Sequence, residues 1–561
     1  MQKRYLVALS SFLVLAALQT TAQPLNQKVK FTEQDTLRGS VGVERGWWDV
    51  THYQISVTPD YNNKFIAGQN TISFKVTKGG IGKKMQIDLQ EPMNIDSVLF
   101  KGKKLNFTRN GNAFSIDFNK TNFTTKSIEK VTICYSGYPR IAKRAPWDGG
   151  WMFVKDEQGR PWMTVACQGL GASVWYPCKD YQGDEPNEGA TVKITVPDSL
   201  VGVANGRLIK EQAESNGTKS YTWKVVNPIN NYNIVPYIGK YVHWSDTLQG
   251  EKKEILSLDY WVLDYDQEKA KAQFGRDVKK MLRAFEYWFG PYPFYEDGYK
   301  LVESPHLGME HQSAVAYGNK FKNGYNGGDL SGSGWGKDWD YIIVHESGHE
   351  WFANNITSND IADMWIHEGF TMFSESLFID YYHGPQAASE YVQGVRFKIR
   401  NDKPIIGYYG VNQEGSGDMY NKGAGLLQNI RVMINNDAVF RSILRGLNKD
   451  FYHKTVDTRD VENYITTKSG IDFSKVFDQY LRTTKIPNFE YAVTDNSIKY
   501  RFSNCNDNFS MPIYFGKDRK FSLTPTINWQ EATLPNGISV NDLDKNYYLK
   551  TVDVAANKSK N

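Results

Sequence analysis

Apolar and polar residues alternate along the first part of the chain. "HYQISVTPDY" from His52, "NTISFKV" from Asn70, "ATVKITVP" from Ala190 and "KSYTWKVV" from Lys219 all place apolar side chains at about every second position. That is the period of a strand with one buried face. From about Asp266 the period lengthens. "QEKAKAQFGRDVKKMLRAFEYWFG" spaces its apolar residues three and four apart and stops at Gly290-Pro291, as a helix does. Helical spacing dominates to about Arg482, and strand patterns return after Pro487 in "FEYAVTDNSIKYRFSN" and "KFSLTPTINWQ". The pattern predicts a multidomain α+β protein. A β-rich N-terminal domain takes residues 23–245, a mostly helical domain 246–488 and a small C-terminal β domain 489–561.

The length agrees, because 561 residues are too many for one core. Apolar residues at 40% and charged residues at 23% are those of a globular chain. The N-terminus stands apart. Lys3 and Arg4 precede an apolar run from Leu6 to Leu18 that ends in the small residues Thr20-Thr21-Ala22. Residues 1–22 read as a secretory signal, too short to span a bilayer, so the mature protein is expected to be periplasmic or secreted. No cysteine follows closely to carry a lipid. Loss of Lys3 and Arg4 takes the net charge from +4 to +2. No basic field for nucleic acid remains, and no later run is a transmembrane segment. The four cysteines, Cys134, Cys167, Cys178 and Cys505, lack the spacing of a thiolate zinc site and are too few for a disulfide scaffold.

Three of the nine histidines fall within Val344–Glu375, "VHESGHEWFANNITSNDIADMWIHEGFTMFSE". His345 and His349, four apart, share a face of a helix and can hold one metal ion. Glu346 lies one step round, within reach of a water at that metal. A tetrahedral catalytic zinc takes a third protein ligand and leaves a place for water. Glu368, nineteen residues beyond His349, supplies it if one helix ends, a loop turns at "NNITSND" and a second helix returns antiparallel. Glu375, two turns past Glu368, faces the same side and can orient a ligand imidazole.

These residues resemble the zinc segment of the aminopeptidase N and leukotriene hydrolase family of gluzincin metallopeptidases. Landmarks in the same order extend the resemblance from about Asp49 to Pro487: "WWDVTHYQISVTPD", "VACQGLGASVWYPCKDY", "INNYNIVPYIGKY", "YWFGPYPF", "LGMEHQSAVAYG", "DMYNKGAGLLQNIR" and "YLRTTKIPNFEY". The resemblance implies a thermolysin-like catalytic domain flanked by the N-terminal β domain and a small C-terminal β-sandwich. It implies one Zn2+ per chain on His345, His349 and Glu368, and removal of single residues from peptides with a free N-terminus. Glu346 would be the general base and Tyr420 would donate to the tetrahedral intermediate. Glu310, in the Gly308-Met309-Glu310 segment that resembles the family's Gly-x-Met-Glu-Asn motif, would bind the substrate's α-ammonium. Gln168 would assist there and border the first side-chain pocket. Two positions depart from the family: His311 and His367 stand where asparagine is common.

Other readings stay open. A zinc endopeptidase would use the same chemistry without Glu310 or Gln168, a bifunctional enzyme would also open a lipid epoxide, and an inactive scaffold would keep the fold only for binding. "SAVAYG", after Glu310, reads as a short edge strand able to align a peptide. Asn323–Gly336, with six glycines, reads as a flexible surface insertion, or alternatively as a flap over the site.

Overall fold

The computed structural model describes residues 30–555, so the expected signal segment lies outside the described residues. The alternating segments near the N-terminus are strands of a ten-stranded sheet. Trp48–Asp60 lies inside it, antiparallel to Phe65–Val76 and parallel to Ala190–Pro197 with Tyr53 opposite Ala190. The inward residues Tyr53, Ile55 and Val57 alternate with more exposed ones, which is why the period was readable. A second sheet of four strands, including Gly150–Lys155 and Pro161–Ala166, packs on the same core and leads into Gln168.

A five-stranded sheet follows, ordered Tyr241–Gln249, Ile255–Leu263, Tyr299–Glu303, Val315–Tyr317, Gly308–Met309. Its first strand crosses residue 245 and pairs along its whole length with Ile255–Leu263. Val315–Tyr317 is therefore an inner strand, contrary to the expectation from "SAVAYG", and the edge is Gly308–Met309. The chain turns back at Ser313 and inserts the later segment between the earlier one and Tyr299–Glu303, a choice that alternation alone does not specify.

Below this sheet lie helices. We label α1 Glu33–Gly39, α2 Gln267–Phe289, α3 Tyr341–Gly348, α4 Trp365–His383, α5 Pro385–Val395 and α6 Asn421–Ile434. α2 ends at Gly290, whose φ of 96° suits glycine. α3 and α4 are buried nearly all round, so neither has the one-sided pattern of a surface helix. The C-terminal part holds a four-stranded sheet, with Asn488–Thr494 between Ser497–Ser503 and Lys550–Asp553, and a separate two-stranded one. No helix among the described residues is long and apolar enough to cross a membrane. All four cysteines are free thiols.

The glycine-rich segment is tied down instead of projecting freely. Gly324 N–H donates to Trp339 O at 2.7 Å, Trp335 Nε1 to Glu390 at 2.7 Å, and Gly334 N–H to Asp329 at 2.6 Å. Its glycines serve tight backbone turns, and its Tyr325 and Leu330 reach the central cleft.

Candidate metal centre and substrate cleft

The site is assembled where α3, α4 and α6 approach closely. Asp340 caps α3, accepting from Ile342 N–H and Ile343 N–H. A Cβ at Gly348 would lie 2.6 Å from Ser374 Oγ, so glycine there lets α3 settle on α4. Gly369 of α4 meets Gly423 of α6 in the same way: a Cβ at Gly423 would lie 2.9 Å from Gly369 Cα. That contact carries Tyr420, at the start of α6, to the ring of His345, with ring centres 6.2 Å apart and planes 18° apart.

His345, His349 and Glu368 converge, their donor atoms all within 4.8 Å of one another. Glu368 Oε2 stands 3.4 Å from His349 Nε2 and 3.8 Å from His345 Nε2, buried and with no hydrogen-bond partner. Both Nδ1 atoms are engaged on the far side. His345 Nδ1 meets Glu375 Oε1 at 2.6 Å, and His349 Nδ1 meets Phe352 O and Thr371 Oγ1 at 3.1 Å. Glu375 is itself held by Tyr391 OH at 2.5 Å. Such outer contacts fix the tautomer and turn each Nε2 lone pair inward. Two imidazoles and one carboxylate oxygen converging in a buried site fit zinc well. Burial disfavours charge on both His349 and Glu368, yet their mutual attraction wins, raising the histidine's pKa and lowering the carboxylate's.

Beside this trio lie two more carboxylates. Glu346 is pushed up to about 7 by burial, with Glu310 and Glu368 adding to the rise and the two imidazoles opposing it. Gly308 faces it: a Cβ there would lie 2.7 Å from Glu346 Oε1. Glycine at this position thus makes room for the glutamate. Glu310 is buried, and burial raises its pKa. It accepts from Gln168 Nε2 at 2.6 Å and from Tyr232 OH at 2.9 Å, while Gln168 also reaches Glu368 at 3.2 Å. One oxygen of Glu310 lies within 4.8 Å of donor atoms of Glu346 and His349. Met309 and Tyr420 complete a cleft of about 640 Å³ lined also by His345, His349, Glu368, Glu346, Glu310, Gln168 and Gly308.

Neither departing histidine lines that cleft. His311 is buried with Nδ1 2.5 Å from Tyr237 OH, and burial keeps it neutral. His367 Nε2 accepts Ser358 N–H at 2.8 Å and is not available as a ligand; burial takes its pKa down to about 3. Sequence reasoning did not pick out Tyr232, Thr371, Tyr391 or Asn354, whose Nδ2 donates to Glu310 O at 2.9 Å. Tyr232, Asn354 and Thr371 fall inside the landmark segments but carry no spacing signal. A larger cavity, about 980 Å³ and lined by Tyr287, Arg441, Arg445 and Tyr452, lies elsewhere on the helical domain and includes none of the clustered donors.

Fold and donors together define a protein of the zinc-metallopeptidase type. Residues 50–232 match the peptidase M1 N-terminal domain and residues 276–480 the peptidase family M1 domain, together more than half of the chain. The chain belongs to the peptidase M1 family. Among curated relatives, leucine aminopeptidase 2 of Vanderwaltozyma polyspora is 22% identical over 57% of this chain and 45% of its own length. Aminopeptidase M1 of Arabidopsis thaliana is 23% identical over 58% of this chain and 37% of its own. The chain thus spans less than half the length of these two relatives. A solved mutant of the M1 zinc metallopeptidase from Deinococcus radiodurans, bound to a Tyr-Ser-Ala substrate, superposes with a TM-score of 0.67 at 19% identity, covering 80% of this chain and 96% of that one.

Proposed function

We propose that this protein is a zinc aminopeptidase that releases single residues from the N-terminus of peptides. The observation that carries the reading is the place of Glu310: a buried carboxylate, aimed into the cleft, beside the two-histidine, one-glutamate donor set. A substrate ammonium must shed water to reach that depth, which is tolerable only beside a fixed anion. An endopeptidase has no use for such an anchor, because an internal peptide bond brings no charge there.

His345, His349 and Glu368 would hold one zinc ion, which when bound polarises the scissile carbonyl and lowers the pKa of water. The chain's own groups do the rest. Glu310, kept in line by Gln168 and Tyr232, pairs with the α-ammonium and sets the register at one residue. Glu346 takes the proton of the attacking water and hands it to the leaving amine. Tyr420 donates its hydroxyl proton in a hydrogen bond to the oxygen on which charge develops. Peptides with a free N-terminus are the partners this chemistry requires.

The test compares one amino-acid anilide with its N-acetylated form on zinc-replete protein. The free amine should be cleaved and the acetylated form should be near-inert. Glu310→Ala should lower kcat/KM on the free amine by more than about tenfold, as expected when one partner of a buried charge pair is removed, while zinc content is retained. Equal cleavage of both forms would favour the endopeptidase.

Export is part of the same reading. It rests on the basic, apolar and small-residue succession through Ala22. The mature protein should begin near Gln23 and appear outside the cytoplasm on fractionation; a protein retained there with its first residues intact would refute it.

A further inference from the structure

Four glutamates line the cleft: Glu310, Glu346, Glu368 and Glu414. The first three have work in the aminopeptidase reading. Glu414 has none, and among the described residues its carboxylate makes no hydrogen bond and no ion pair within 4 Å, so it faces the cleft without a partner there. The cations nearest in effect do not satisfy it. Lys403 acts on it only at a distance, and Lys398, which also lines the cleft, lies over the ring of Phe397.

Its position is fixed, and fixed beside Gln168. Gly169, the next residue, has a φ of +63°, and a Cβ there would lie 2.9 Å from Glu414 Oε1. Gly169 O is held by Arg38 of α1 at 3.1 Å and by Asn412 at 3.4 Å. The segment bearing Glu414 is anchored at both ends and at its middle. Gly407 N–H donates to Ala362 O at 3.1 Å, Asn412 N–H to Asp35 O at 3.0 Å, and Ser416 N–H to Pro404 O at 2.9 Å. The backbone carrying Glu414 is therefore braced at the edge of the cleft, which keeps its carboxylate within reach of a group bound there.

We propose that Glu414 makes the enzyme selective for peptides whose N-terminal residue is lysine or arginine, by pairing with that side-chain cation in the first side-chain pocket. The inference rests on the aminopeptidase reading of the same site. Glu310 binds the α-ammonium common to all substrates, so it cannot choose among side chains. Glu414 lines the same cleft and faces Gly169, the residue after Gln168, which in the aminopeptidase reading borders the first side-chain pocket. Burial, and then the negative charge of Glu368, raise its pKa, so an entering cation relieves a cost already present in the free protein. A half-buried carboxylate that faces the cleft favours side chains that bring it a positive charge over uncharged ones of the same length.

The experiment measures kcat/KM for the coumarylamides of arginine, lysine and norleucine, the last of similar length but uncharged. The wild-type protein should favour arginine and lysine over norleucine by about tenfold or more, and Glu414→Gln should erase most of that ratio, since a charge-assisted pair is roughly twice as strong as a neutral one. Zinc content shows whether the variant is folded. A wild-type preference for norleucine overturns the proposal, as does an arginine-to-norleucine ratio unmoved in zinc-replete Glu414→Gln. Should that variant lose zinc, inhibition of the wild type by free amino acids decides: L-arginine must inhibit more strongly than L-norleucine, and equal inhibition refutes the assignment. Failure to cleave any of the three amides overturns the aminopeptidase reading and this inference with it, whereas cleavage without cationic preference removes only the role of Glu414.

Discussion

Replacing Glu346 by glutamine is expected to leave zinc in place and to lower kcat by about 10²–10⁴-fold, the usual contribution of a general base. The side chain is nearly isosteric, so the room that Gly308 leaves at 2.7 Å is filled as before and α3 is undisturbed. None of the three donors His345, His349 and Glu368 is touched. What is lost is proton affinity. The carboxylate, raised by burial to about 7, can take a proton and return it near neutral pH, and an amide can do neither. Zinc content measured with single-turnover rates separates the cases. Full zinc with activity within about tenfold of wild type would take the role away from Glu346.

Tyr420→Phe is expected to lower kcat by about 10²–10³-fold with little change in KM, as for loss of one donor to a developing oxyanion. Burial, followed by the charge of Glu368, holds this phenol well above its ordinary pKa, so it stays protonated and remains a donor at any working pH. The ring should keep its place after the change, since its packing against His345 and its position at the start of α6 do not involve the hydroxyl. Steady-state kinetics on one anilide decide it. A rise in KM at constant kcat would mean that the hydroxyl binds the ground state.

The metal donors were legible in the sequence because their geometry is local. Four residues make one helical turn, so His345 and His349 had to share a face wherever their helix lay. Seven residues make two turns, so Glu375 had to follow Glu368 on the same side, and it meets His345 Nδ1 at 2.6 Å. Strands with one buried face were legible for the same reason, as in Trp48–Asp60. α3 and α4 were less so, since burial on all sides erases the periodic signal.

Where the contact is long-range, the sequence was silent or misleading. Tyr232 lies 78 residues from Glu310 in the chain, and only the packing of the N-terminal domain on the catalytic sheet brings its hydroxyl to that carboxylate. The "SAVAYG" segment read as an edge strand, but a strand's place in a sheet is set by its tertiary pairing, and Gly308–Met309 takes the outside. The glycine-rich segment looked mobile by composition, yet bonds to Trp339 and Glu390 hold it.

By itself, then, the sequence marked His345 and His349 as a candidate metal pair with Glu346 beside them, since helical spacing carries that information over a few residues. It also determined the succession of β-rich, helical and β-rich regions, through the change of hydrophobic period. Only the tertiary structure decided that Glu310, Gln168 and Tyr232 form one cluster against the metal donors, that Gly308 serves Glu346, and that Glu414 stands unpaired beside Gln168. Those relations join segments 200 residues apart, as from Gln168 to Glu368, and further still from Gln168 to Glu414. No period in the chain encodes such a distance; it is set when the packed cores bring the segments together and exclude the water between them.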